Sequence, residues 1–95
     1  MSAANWRAND VPTRDPLACS AVLDGEAVLY HPTSARSLLL NSSLAAVWTL
    51  VDGVADVARI SARIAEMYDV SEQQVRDDVT DGLCLLEGEG FLGRG

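Results

Sequence analysis

Histidine is almost missing from this sequence, with one in 95 residues, His31 in "YHPT". A lone imidazole before a proline reads as a polar turn residue; as a general base it would lack a nearby nucleophile. Cysteine is nearly as scarce. Cys19 and Cys84 lie far apart and form no CxxC, so a zinc tetrad is excluded. They are expected as buried thiols acting as small apolar side chains, with a disulfide as the lesser alternative. The chain has neither a P-loop nor a GxGxxG. Positive charge is short too: 7 Lys and Arg against 14 Asp and Glu leave a net charge of −7. That balance repels phosphate backbones and anionic lipid heads, and suits a partner carrying Lys and Arg. No apolar run approaches the ~20 residues that span a bilayer. The opening "MSAANWRANDVPTRDP" has no apolar stretch of the signal-peptide kind. The expectation is a soluble cytoplasmic protein with no cofactor, metal, nucleic acid or membrane partner, and no catalysis of its own.

What is present is a core. With 48% hydrophobic and 22% charged residues, the chain can fill one domain, and at this size it buries roughly two-thirds of its unfolded surface. Residues 1–17, punctuated by Pro12 and Pro16, read as a flexible or extended arm with Trp6 tucked onto the domain. Asp24-Gly25 between two β-favouring runs is a hairpin signal, because a type I′ turn needs positive φ at both central positions. It predicts strands near 18–23 and 26–31. After the "HPTSA" turn, "RSLLL" predicts a third strand at the sheet margin. Leu38 and Leu40 would share the core face and Leu39 would point away.

Three helices should follow. Asn41 or Ser42 caps the first, with Leu44, Val47, Trp48 and Val51 on one face, and Asp52-Gly53 ends it. Asp56 caps the second, with Val57, Ile60, Ile64 and Met67 at intervals of three and four. Ser71 and Gln74 form a capping box opening the third, striped by Val75, Val79, Leu83 and Leu86 and stopped by Gly88 and Gly90. "GFLG" then packs back or frays. Asp77, Asp78 and Asp81 read as a solvated face. Three strands then three helices make a small α+β domain.

Short helices beside a small sheet also describe winged-helix-turn-helix DNA-binding domains. The helix that would enter the groove carries Glu72, Asp77, Asp78, Asp81, Glu87 and Glu89 against Arg76. Phosphates would repel it. Peptide binding fits better. Proteins blunt sheet edges with charge, proline or bulges, yet "RSLLL" offers one Arg and no proline. An extended peptide could add there by β-augmentation. About five net hydrogen bonds of ~1 kcal/mol each supply roughly 5 of the ~8 kcal/mol a micromolar complex requires. Apolar side chains must supply the rest. A structural subunit completing a larger enzyme through the same edge is the remaining alternative, and the edge could also pair two copies.

The ordered set Leu40-Asn41, Asp52-Gly53, Ile60, Asp78-Val79 and Gly90-Phe91 resembles the PqqD-like proteins, the RiPP recognition elements, over about residues 19–92. The resemblance implies a winged-helix-like fold of three strands and three helices, here a peptide-binding domain at 18–93. It also implies a non-catalytic function: capturing the leader segment of a ribosomally made precursor peptide and presenting it to a modifying enzyme. In that family the leader adds beside the third strand, in a groove bounded by the third helix. Carried over, the implied edge is Arg36, Ser37, Leu38, Leu39 and Leu40. The implied helix wall is Val75, Arg76, Val79, Thr80 and Leu83. The implied partner enzyme is a leader protease of the lasso-peptide type or a radical SAM protein. Two positions stand out against the family pattern. Arg59 replaces an acid that would complete a capping box, and Gly82 interrupts the third helix at about 1 kcal/mol relative to Ala.

Overall fold

Each predicted helix is started by the residue that can cap it. In the computed structural model, which describes residues 6–24 and 26–95, Asn41 accepts the Leu44 N–H at 2.9 Å and Asp56 accepts that of Arg59 at 2.8 Å. Ser71 and Gln74 close a reciprocal capping box at 3.2 Å each. The chain order is β1 (Pro12–Arg14), β2 (Cys19–Leu23), β3 (Glu26–His31), β4 (Arg36–Leu40), α1 (Ser42–Leu50), α2 (Val57–Tyr68), α3 (Glu72–Gly88) and β5 (Leu92–Arg94). β2, β3 and β4 form an antiparallel meander. The expected α+β order is therefore present, with a second, two-stranded sheet of β1 and β5 added to it. Asp24 has φ 52°, as the first position of the predicted β2–β3 turn requires; Gly25 lies outside the described residues.

Alternation sets the faces of the meander. Ala27, Leu29 and Leu40 are buried with Trp48, Val57, Ile60, Val79, Leu83 and Leu86. Leu38 is half-buried on the same face, and Leu39 on the other face is 65% exposed. Several expectations need correction. Cys19 is exposed and Cys84 half-buried, and neither is in a disulfide; Cys19 sits opposite Tyr30 on the uncovered face of the sheet. Burial, then the nearby Glu87, raises the Cys84 thiol above its ordinary pKa. His31 is no turn residue. It ends β3 on the inner face, buried against the Phe91 ring edge, with Nε2 3.3 Å from an Asp15 carboxylate oxygen. Met67 leaves the core stripe and is exposed.

Residues 1–5 lie outside the described residues; 6–15 take the extended alternative of the expected arm, with Trp6 tucked in, and are built into the domain. Trp6 is 6% exposed, with the Arg94 guanidinium 4.1 Å over its ring. The carbonyls of Asp10 and Ala8 accept the Val57 and Ala58 N–H groups at 2.9 Å, satisfying donors that every helix start leaves open. Arg14 lies 4.4 Å over Trp48 and donates to the Trp48 carbonyl; partial burial lowers its pKa, against a smaller opposing pull from Asp52. Burying Trp6 and pairing β1 with β5 removes the freedom expected of a polar N-terminal segment.

The closing "GFLG" packs back, as a turn followed by β5. Gly90, at φ 88°, lets the Phe91 N–H reach the Leu86 carbonyl at 2.9 Å while its own N–H reaches Glu87 at 3.1 Å. This is a Schellman cap, with its usual apolar contact between the residue after the glycine and the last helical turn. It drives Phe91 and Leu92 into the core and aims β5 at β1.

Candidate functional site

β4 is the margin of the meander. One of its edges pairs with β3 through Ala27↔Leu40 to His31↔Arg36, and no strand occupies the other among the described residues. The N-terminal segment, which could have filled it, is engaged with β5 and the start of α2. Alternate residues of an antiparallel edge strand direct their N–H and C=O groups outward. That row of unpaired groups can accept an extended chain.

α3 passes this margin in the opposite sense. The start of β4 meets the end of α3 through an ion pair, with Arg36 Nη1 2.6 Å from Glu89 Oε1. At the other end, Asn41 and the start of α1 face the middle of α3 across a hollow of about 430 Å³, within the size range of ligand pockets. Its floor is apolar: Leu44 and Val47 from α1, Ile64 and Tyr68 from α2, and Val75, Val79 and Leu85 from α3. Asp78 and Asp81 stand in its wall, are exposed, and form no ion pair among the described residues.

Gly82 belongs to this hollow. A Cβ there would lie 2.7 Å from Leu44 Cδ1, so the missing side chain lets α1 approach α3. We expect Gly82→Ala to leave the melting free energy within about 1 kcal/mol of wild type. The gain in helix propensity opposes the displacement of one half-buried leucine methyl. The measurement is thermal unfolding; a loss above roughly 2 kcal/mol would show that Leu44 cannot move.

The structure brings only part of the sequence-derived set together. Arg36, Ser37, Leu38, Leu39 and Leu40 form the open edge strand. Val75 and Val79 line the hollow. Leu83 is fully buried beneath it. Arg76 and Thr80 lie on the other flank of α3: Arg76 pairs with Glu72, and the Thr80 hydroxyl bonds the Asp77 carbonyl. Glu87 on that flank holds Arg94 of β5, an interaction that raises the arginine's pKa. The sequence-derived set did not include Asn41, Leu44, Asp78, Gly82 and Leu85, which also line the hollow. Helical spacing alone could have found the last three, since residues three or four apart share a flank.

Among the described residues, no group of three His, Cys, Asp or Glu side chains could hold a metal ion, and no helix is long and apolar enough to cross a membrane. Asp52, in the loop after α1, lies below the usual carboxylate range because it accepts the Ala55 and Val54 N–H groups. It caps a turn, at 2.8 and 2.9 Å from those nitrogens, and is not part of the hollow.

An α+β domain with one bare sheet margin beside an apolar hollow is a binding architecture. The chain belongs to the PqqD family: the family model of Coenzyme PQQ synthesis protein D (PqqD) matches residues 26–92. Two solved structures are similar. One is TbiB1 in complex with the TbiA(beta) leader peptide, at 25% identity over 84% of this chain and 93% of that one, TM-score 0.77. The other is the solution NMR structure of the PqqD truncation of Methylobacterium extorquens PqqCD, representing a functional and stand-alone RiPP recognition element. It matches at 25% identity over 99% of this chain and 100% of that one, TM-score 0.81. Comparison with curated proteins gives no match.

Proposed function

We propose that the protein captures the leader segment of a ribosomally synthesised precursor peptide as an added strand on β4 and presents it to a modifying enzyme, without catalysing a reaction itself. The observation that carries this reading is the unoccupied β4 margin beside the hollow against α3. The leader peptide held by the similar TbiB1 supports it. Main-chain bonds to Arg36–Leu40 supply affinity, and apolar leader side chains in the hollow supply the remainder and the selectivity. On α3 the binding residues are Val75, Asp78, Val79, Gly82 and Leu85 rather than Arg76 and Thr80. The enzyme served is a leader protease of a lasso-type pathway or a radical SAM protein, and the setting is the cytoplasm, where precursors are made. Without peptide, the bare edge can pair two copies of the chain.

Titrating the ¹⁵N-labelled protein with the leader of the precursor encoded beside it tests this. Amide shifts are expected along 36–41 and at Val75, Asp78, Gly82 and Leu85, with little change at Arg76 or around Arg14 and Asp52. Shifts centred on β2 or on the β1–β5 sheet, or none, would overturn the proposal.

A further inference from the structure

The groove beside β4 differs electrostatically at its two ends. At the Arg36 end the acid of α3 is already answered, because Glu89 holds Arg36 at 2.6 Å. At the Asn41 end, Asp78 and Asp81 stand in the wall of an apolar hollow and no ion pair answers either among the described residues. Asp77, one turn before Asp81 on the same helix flank, does not line this hollow but a separate one with Glu72 and Arg76.

Resting on the strand-addition reading above, we infer that the captured segment is a basic one: a bulky apolar residue filling the hollow under Leu44 and Leu85, with a Lys or Arg beside it placed against Asp78 and Asp81. The charge complementarity also fixes where the segment lies. Its basic residue sits by Leu40 and Asn41, because at the opposite end Glu89, the C-cap of α3, is already paired with Arg36. β4 spans about 17 Å at ~3.4 Å per residue, so an added strand in the wrong sense would carry its cation to the Arg36 end. The two carboxylates therefore act as selectors of direction and register, while the apolar floor supplies most of the burial. Acidic leaders of equal hydrophobicity are rejected, since each like charge beside Asp78 and Asp81 adds repulsion.

The test uses the whole folded protein and a display library of random extended peptides, selected in parallel on wild type, on Asp78→Asn/Asp81→Asn and on Asp77→Asn. Both target side chains are exposed, so the double variant keeps its fold. Wild type and Asp77→Asn should enrich peptides with Lys or Arg next to an apolar residue, and the double variant should lose that preference. Replacing the basic residue of a selected peptide by Gln should weaken its binding to wild type about fivefold at low salt, as expected for exposed charge pairs, and less as salt rises. It should leave binding to the double variant unchanged. Selected peptides that shift β4 amides but show no basic preference, or the same preference on the double variant, overturn the inference and leave strand addition standing. If nothing is selected, or the selected peptides shift no β4 amide, both fall.

Discussion

Single prolines walked along β4 should divide into two classes. Antiparallel pairing points neighbouring N–H groups in opposite directions, so Ser37→Pro and Leu39→Pro remove donors on one side of the strand and Leu38→Pro on the other. Proline lacks the N–H, and its ring also blocks a neighbour's approach. One class interrupts the ladder to β3, in which Ser37 faces Tyr30, Leu38 faces Leu29 and Leu39 faces Val28. Those variants should melt early. The other class keeps the ladder and the melting temperature but should lose leader binding by about 100-fold or more, near 3 kcal/mol. Fluorescence anisotropy with a labelled leader, set beside thermal melts of the same proteins, reads both. If every variant that stays folded binds like wild type, the added strand does not lie on β4.

Phe91→Ala should be the most damaging single change to the fold. The ring is 0% exposed, meets His31 edge-on with centroids 6.1 Å apart, and sits on the Schellman cap that ends α3. Truncating a buried phenylalanine costs about 3–5 kcal/mol, a large share of the 5–15 kcal/mol typical of a domain. For a chain of this length that lowers the melting temperature by roughly 15–25 °C. The Phe91 carbonyl also accepts the Asp15 N–H at 2.9 Å, so the β1–β5 amides should lose hydrogen-exchange protection first. Leu39→Ala, at an exposed apolar side chain, should change stability by no more than about 0.5 kcal/mol. A Phe91→Ala shift as small as that of Leu39→Ala would show that the β5 end of the molecule contributes little.

The difference between those two residues reaches to the limit of sequence reading. Leu39 was legible: in a strand with period two, Leu38 and Leu40 take the core and the leucine between them must face outward. Helix starts were legible for a similar reason. Asn41, Asp56 and Ser71 each satisfy an N–H three residues ahead, a bond closed within one turn. Phe91 was not legible, because its burial requires the glycine turn at Gly90 to bring it under a sheet formed sixty residues earlier in the chain. His31 and Cys19 failed as predictions for the same cause. Burial is decided by what the topology lays over a position, so the lone histidine went inside and the cysteine of an uncovered sheet face stayed out.

The candidate site divides along the same line. Its strand was readable as an apolar run without the charge or proline that protects an edge. Its helical wall was readable only as a set of α3 positions, and that set left out half of the flank that lines the hollow. A periodic stripe identifies the buried face of a helix but does not say which shoulder of that face meets the strand.

By itself, the amino-acid order determined the elements, their caps, the alternation within the strands and the acidic character of α3, since each depends on residues within a turn or two of one another. Only the tertiary structure decided that residues 6–15 clamp β5 and the start of α2 and, among the described residues, leave the outer edge of β4 bare, and that Gly82 lies in a hollow beside Asp78 and Asp81, which no ion pair answers among those residues. Those outcomes depend on which distant surfaces compete for the same partner, and that competition is resolved when the whole chain packs.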